Sequence, residues 1–330
     1  MTTLVTMTID TEEEWDWNAG WPTGTPSLKN IDHLPRFQDL CSKYGIKTTY
    51  FTNHSVMADP KACAVMVELA QRPGVEIGMH IHPWNTPPVH GSGPVRARDT
   101  FLHNLPREIA GAKLQSVWDV FAANGMSPTS FRGGRYSSDR FIQGFLRDRG
   151  VIADASVLPF STWADDGAPD YRDRDLAPVR LPPRNSKDRP MWEVPLTLGF
   201  TRKPYQFWRR MYELVEQTVL RKLRLIGIAE RLGIVRKMWL NFEYQPATDM
   251  LSFLELLRPM KLPSVCLTIH SSSIMAGKAP FSTAPADPEH LLADMERVFR
   301  TLSEWPDFEK VTMTETAQRL EEEYLARSGN

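Results

Sequence analysis

Glu76-Ile77-Gly78-Met79-His80-Ile81-His82-Pro83-Trp84 is the stretch that decides how the chain is read. Val75, Ile77 and Met79 are apolar, and the run follows a Pro73-Gly74 turn signal, so it predicts a short buried strand. Residues two apart in an extended chain point to the same side. His80 and His82 therefore leave the strand end on one face, as two ligands of a single metal ion must. Imidazole is the commonest neutral ligand for zinc and its neighbours. Pro83 stops the strand, and Trp84-Asn85-Thr86-Pro87-Pro88 reads as an irregular loop that could wall a pocket. An H-x-H pair alone describes surface or core histidines equally well, so the rest of the chain has to separate the readings.

With 330 residues, the chain can bury a large core. A hydrophobic fraction of 42% and a charged fraction of 24% are those of an ordinary globular protein. The net charge of −1 supplies no field for nucleic acid. Cys41, Cys63 and Cys266 are scattered and odd in number, which gives no disulfide framework and fits a reducing compartment. The start, M-T-T-L-V-T-M-T-I-D, has no basic region and runs straight into a strand, so a cytoplasmic location is expected. No stretch has the apolar length of a membrane span.

Strand and helix patterns alternate throughout. Strands are expected at Leu4–Ile9, Ile46–Phe51, the H-x-H run, Thr129–Arg132, Val151–Ala153, Trp192–Pro195, Leu196–Phe200, Met238–Phe242, Ser264–Ile269 and Lys310–Met313. Helices are expected at Ile31–Tyr44, Pro60–Gln71, Pro106–Asn124, Phe141–Arg149, Tyr205–Lys237, Thr248–Leu257 and Glu289–Leu302, and a last one capped by Thr314. Residues 85–105 and 159–190 read as long loops, with His90 and His103 as surface histidines. The alternation predicts a parallel sheet closed, or nearly closed, into an α/β barrel over residues 1–330, with a helical insertion at about 204–237. The basic run Arg221–Lys237 matches either a core-facing stripe or a peripheral membrane contact.

Five strand ends carry polar residues: Asp10/Glu12, His80/His82, Arg132, Asp154 and His270. Parallel barrel strands bring such ends to one mouth. One carboxylate with two imidazoles leaves a coordination position open, the pattern of catalytic zinc. Asp10-Thr11-Glu12-Glu13-Glu14 could instead be a solvated charge run, Arg132 a structural ion-pair partner, and His270 and His54 core histidines.

The ordered set resembles the NodB-type polysaccharide deacetylases, carbohydrate esterase family four, across nearly the whole chain. That family's T-F-D-D strand end corresponds to T-I-D-T-E here, its histidine motif to E-I-G-M-H-I-H, its arginine motif to F-R-G-G-R-Y and its final histidine motif to L-T-I-H-S. D-T-E-E-E-W-D-W together with H-I-H-P-W looks most like the WalW-type branch associated with lipopolysaccharide biosynthesis. Two positions depart from the pattern. Thr11 stands where the second aspartate is usual, so the ligand role moves to Glu12. Trp84 stands where the second histidine is usual, so His82 substitutes.

The resemblance implies a distorted (β/α) barrel with long loops and a metal-dependent removal of an N-acyl group from an amino sugar. The implied metal is zinc, on Glu12, His80 and His82. It further implies Asp10 as base held by Arg132, His270 as acid, Asp154 in the catalytic set, and an oxyanion donor from the Gly133-Gly134 turn. Trp15, Trp84 and Tyr136 are the expected sugar-facing aromatics. A cytoplasmic enzyme of this kind would meet a nucleotide- or lipid-linked glycan precursor. A metal-dependent amidohydrolase of a non-sugar amide, a carboxylate-pair sugar hydrolase and a non-catalytic carbohydrate-binding protein are the competing readings, and the oligomeric state is open.

Overall fold

β1 (Thr3–Thr11) is buried along its whole length, which places it at the centre of the sheet. The structure is a computed structural model that describes residues 2–16, 20–22, 24–89, 95–162, 166–184, 188–216, 228, 231, 236–276 and 287–328. After β1 come α1 (Leu34–Lys43), β2 (Thr48–Thr52), α2 (His54–Ala58), α3 (Pro60–Ala70), β3 (Val75–Ile81), α4 (Arg107–Ala123), β4 (Ser130–Gly133), α5 (Arg140–Arg147) and β5 (Ala153–Asp154). The second half has β6 (Val179–Leu181), β7 (Met191–Glu193), β8 (Leu198–Phe200), α6 (Tyr205–Glu216), β9 (Lys237–Trp239), α7 (Ala247–Leu257), β10 (Ser264–His270), α8 (Pro288–Glu304), β11 (Phe308–Lys310) and α9 (Met313–Ser328).

The principal sheet has the order β10-β1-β2-β3-β4-β5-β7-β6, and β11 pairs with the start of β1. All pairings are parallel except β6 with β7. A few backbone hydrogen bonds carry the sheet round towards closure. Leu196 N–H donates to the Val157 carbonyl, Leu240 N–H to Thr197 and Thr268 N–H to Leu240, at 2.9, 2.9 and 3.0 Å. The result is the expected distorted (β/α) barrel, stitched on one side by the β8–β9 pair instead of a regular ladder.

The two-residue period of the strands makes two apolar layers. Ile9, Met79, Ile81, Phe131, Leu267 and Ile269 face outward and pack under the helices with residues such as Phe37, Phe121 and Phe299. A smaller set, including Phe51, Val194, Leu196 and Cys266, forms a second cluster. The residues between the outward-facing ones, Thr8, Asp10, His80, Arg132, Thr268 and His270, are polar and buried. At the opposite end of the strands, Glu76 accepts from Thr314 N–H at 2.9 Å and from the hydroxyls of Ser130 and Thr314, which ties the start of α9 to the sheet.

Several boundaries differ from those expected. Residues 159–190 contain β6, a three-residue strand too short to show a period of its own, which pairs antiparallel with β7 across the next loop. Residues 85–105 include two 3-10 turns, Ala97–Thr100 and Leu102–Asn104. α9 starts at Met313, and β9 ends at Trp239, short of the expected Phe242. The expected helix from Tyr205 is described as far as Glu216. Most of the basic run 221–237 lies outside the described residues, as do Trp17 and His90. Among the described residues no helix is long and apolar enough to cross a membrane.

Candidate active site

Strand register sets the geometry of the site. Asp10 is the cross-strand neighbour of His270, and His80 that of Arg132. Asp10 and Glu12, like His80 and His82, are two apart, so each pair points to one side while Thr11 and Ile81 point to the other. Thr11 Oγ1 turns back to the Ile9 carbonyl at 3.1 Å and stays clear of the cluster.

The acidic run is no solvated stretch. Glu12, Glu13 and Glu14 are 1%, 1% and 5% exposed, and each carboxylate has its own task. Glu14 accepts from the backbone N–H groups of Lys29 and Asn30 at 3.2 and 2.9 Å and from the Ser27 hydroxyl, ordering the turn after the loop. Glu13 accepts from Asn53 Nδ2 at 2.6 Å, from Asn85 Nδ2, and from His82 Nδ1 at 2.9 Å. Glu12 Oε2 lies 2.9 Å from His82 Nε2 and 3.4 Å from His80 Nε2. Its backbone is held by Ser271 Oγ and Asn30 Nδ2 at 3.1 and 2.8 Å.

These residues fit a divalent cation. His80 Nδ1 faces the Arg132 carbonyl at 2.7 Å and His82 Nδ1 faces Glu13, so acceptors hold both Nδ1–H groups. Both Nε2 atoms are then presented to Glu12, 3.1 Å from one another. Two imidazole lone pairs at that separation, beside a carboxylate, repel unless a cation or a proton lies among them. Glu12 Oε1 is buried with no hydrogen-bond partner among the described residues, a costly arrangement that a metal bond would relieve. Without an ion, burial would pull His82 down, but Glu12 and Glu13 outweigh it and hold the ring at about 10. Burial likewise opposes ionisation of Glu12, and the neighbouring His82 and His270 overcome it to hold the carboxyl well below the usual range. The site thus provides a Glu12–His80–His82 donor set with an outer carboxylate on one ligand. Replacing that outer group, Glu13→Gln, is expected to weaken zinc affinity by roughly 10–100-fold in a chelator competition titration. An unchanged affinity would remove Glu13 from this role.

Beside the donor set lies a second couple. Arg132 is fully buried, and its Nη1 donates to Asp10 Oδ1 at 2.6 Å. Nη2 reaches Thr8 Oγ1 at 3.0 Å, Nε reaches the Ala155 carbonyl at 3.1 Å, and the guanidinium lies 4.5 Å from the Phe51 ring centroid. The other oxygen of Asp10 is 3.9 Å from His270 Nε2. His270 Nδ1 pairs with Glu243 Oε2 at 2.8 Å, and its backbone N–H donates to the same carboxylate at 3.2 Å. Burial would lower the His270 pKa, but Glu243, Glu12 and Asp10 together raise it to about 10.

A cavity of about 280 Å³ opens on these groups, lined by Asp10, Glu12, His80, His82 and His270 below and by Trp15, Trp21, Trp84, Arg135 and Tyr136 at the walls. Trp84 stacks on His82 with ring centroids 4.1 Å apart, and Trp15 meets both edge-on. Gly134 is required where the wall approaches the site: a Cβ there would lie 2.4 Å from the Ile81 carbonyl oxygen and 2.8 Å from His82 Cδ2.

Three expectations need correction, and one functional residue was missed. Asp154 does not line the cavity: its carboxylate is taken by Ser138, Ser156 and Gln143. The carboxylate on His270 is Glu243, which sequence reading missed because it stands just after an expected strand end and resembles loop polarity. Gly133 N–H donates to Ser156 Oγ at 2.9 Å and is committed there, which narrows the expected oxyanion donor of the Gly133-Gly134 turn to Gly134. His103 is half-buried, with Nδ1 2.8 Å from Ser137 Oγ and Nε2 3.0 Å from the Gly167 carbonyl, which makes it a loop clasp. Glu13 was visible only as part of the acidic run, and Asn53 as a polar residue after a strand.

No family model matches the sequence. No curated protein matches it either. Solved structures do. A structure described as a polysaccharide deacetylase from Mycobacterium smegmatis superposes with a TM-score of 0.59 at 12% identity, covering 98% of this chain and 91% of that one. A second, described as a polysaccharide deacetylase from Pseudomonas aeruginosa, gives 0.52 at 12% identity, covering 98% and 91%. The 4-alpha-glucanotransferase of Thermococcus litoralis gives 0.54 at 10% identity, with 97% of this chain matching 40% of that one. At such identities the likeness defines a fold class: the chain has the distorted barrel of the polysaccharide deacetylases.

Proposed function

We propose that the protein is a metal-dependent hydrolase that removes an N-acyl group, in particular N-acetyl, from an amino sugar of a glycan or lipopolysaccharide precursor. One observation carries the reading. A Glu–His–His donor set, an Asp10–Arg132 couple and a Glu243–His270 couple share one aromatic-walled cavity. The deacetylase fold supports it.

A divalent cation, zinc by the donor set, would be held by Glu12, His80 and His82 and would polarise the amide carbonyl and acidify water beside it. Asp10 accepts the proton of the attacking water. Arg132 donates to Asp10 and fixes its orientation. His270, whose pKa the paired Glu243 raises, donates a proton to the departing nitrogen, which is a poor leaving group as an anion. Glu243 holds His270 with Nε2 towards the cavity. Trp15, Trp84 and Tyr136 offer flat faces to a sugar ring. We assign the cytoplasm as the site of action and a nucleotide- or lipid-linked sugar as the form of substrate.

The test is a screen of the zinc-loaded protein against N-acetylated amino sugars and non-sugar amides, following acetate, ammonia and amine release separately. Acetate from sugars alone supports the proposal, and ammonia or amine from other amides would replace it. Glu243→Gln adds a pH readout. Because the carboxylate raises the His270 pKa, its loss is expected to move the alkaline limb of the kcat profile to lower pH and cut kcat by roughly tenfold or more. A limb that stays in place would separate Glu243 from the acid.

A further inference from the structure

We propose that the substrate carries an anionic group, a carboxylate or a phosphate, and that Arg135 binds it. This rests on the amino-sugar reading above and names the class of sugar. Arg135 follows β4 in a turn where it and Tyr136 both take left-handed backbone conformations, φ 51° and 62°. Such backbone strain at residues that line a cavity is characteristic of binding sites.

The guanidinium is held flat and only partly used. It lies 4.1 Å from the Phe101 ring centroid and 5.4 Å from that of Trp21. Nη1 donates to Thr100 Oγ1 at 2.6 Å and to the Ala97 carbonyl at 3.3 Å. Nη2 reaches Asp166 Oδ2 at a long 3.4 Å, and that carboxylate is 45% exposed. Two of the five guanidinium N–H groups, Nε–H and one on Nη2, have no partner among the described residues. N–H groups on Nε and Nη2 are those through which a guanidinium grips carboxylate or phosphate, in a bidentate manner where both are offered. Burial also depresses the Arg135 pKa, a cost that an anion would offset.

The floor of the cavity offers an anion less. Its cationic groups are already engaged by carboxylates, Arg132 by Asp10 and His270 by Glu243, whereas Arg135 at the wall keeps N–H groups without a partner among the described residues. The amide then faces the donor set while the charged end faces the arginine, which orients the sugar. The aromatic walls reduce solvent screening of that contact.

The experiment is a tryptophan-fluorescence or calorimetric titration of the zinc-loaded full-length protein with three probes: N-acetylglucosamine, its C6 uronic acid, and N-acetylglucosamine 1-phosphate. Wild type is expected to bind one acidic probe about tenfold or more tightly than the neutral one, with the preference shrinking as salt rises. The acidic arms show whether the group is a carboxylate or a phosphate. Arg135→Gln is expected to reduce the preference to within about twofold, and Arg135→Lys to keep part of it. Should Arg135→Gln fail to fold, the wild-type preference and the lysine variant carry the test. Equal binding of neutral and acidic probes by wild type overturns the inference and leaves the sugar reading intact. Equal loss of all probes in the variants marks Arg135 as a clamp of the Ala97–Thr100 turn and overturns it too. Binding of none removes both.

Discussion

Asp10→Asn is expected to lower kcat by about a hundredfold or more while the protein keeps its fold and its metal. The substitution is nearly isosteric, and the amide oxygen can still accept from Arg132 Nη1, which donates to Asp10 Oδ1 at 2.6 Å. What disappears is the capacity to take a proton. The metal donors, Glu12, His80 and His82, are separate side chains and stay in place. Metal content and turnover measured on the same preparation decide the matter. Full turnover in the Asp10→Asn variant would assign the base elsewhere, and joint loss of metal and turnover would make Asp10 part of the metal site.

Arg132→Met is expected to destabilise the fold by about 3–5 kcal/mol, the cost of leaving a buried carboxylate without its partner. Methionine fills the stem's volume but supplies none of the N–H groups that satisfy Asp10, Thr8 and the Ala155 carbonyl. Asp10 is 4% exposed, so water repays little of that loss. The double variant Asp10→Asn/Arg132→Met should lose clearly less than the two single losses added together, because the stranded charge is gone. Urea melts of the four proteins test this. A single-variant loss under about 1 kcal/mol, or strict additivity, would show that the couple is not held as a buried ion pair.

The parts of the molecule that obey a local period were legible in the sequence. Asp10 and Glu12, His80 and His82, Arg132, and His270 all follow from strand alternation and from the rule that parallel strand ends share a rim. Burial was not legible. A run of four carboxylates in five positions has one appearance whether solvated or buried, and only the partners Asn30, Asn53, Asn85 and Arg132, distant in sequence, decide it. The same limit explains Glu243 and Asp154. Both are acids near strand ends, but β9 stops early and leaves Glu243 beside His270, while Ser138, Gln143 and Ser156 take up Asp154. Gly133 shows it at the backbone: the glycine pair does mark a close approach, but to the protein's own chain. The closure through β8 and β9 depends on contacts between residues about forty apart, which no local window of sequence contains.

The measurement that bears most directly on the account is metal content by elemental analysis of the purified protein and of a His80→Ala/His82→Ala variant, each after zinc reconstitution and desalting. About one zinc-like ion per chain in the wild type, lost in the variant, is the expected result. No metal in either protein, or equal metal in both, would contradict it.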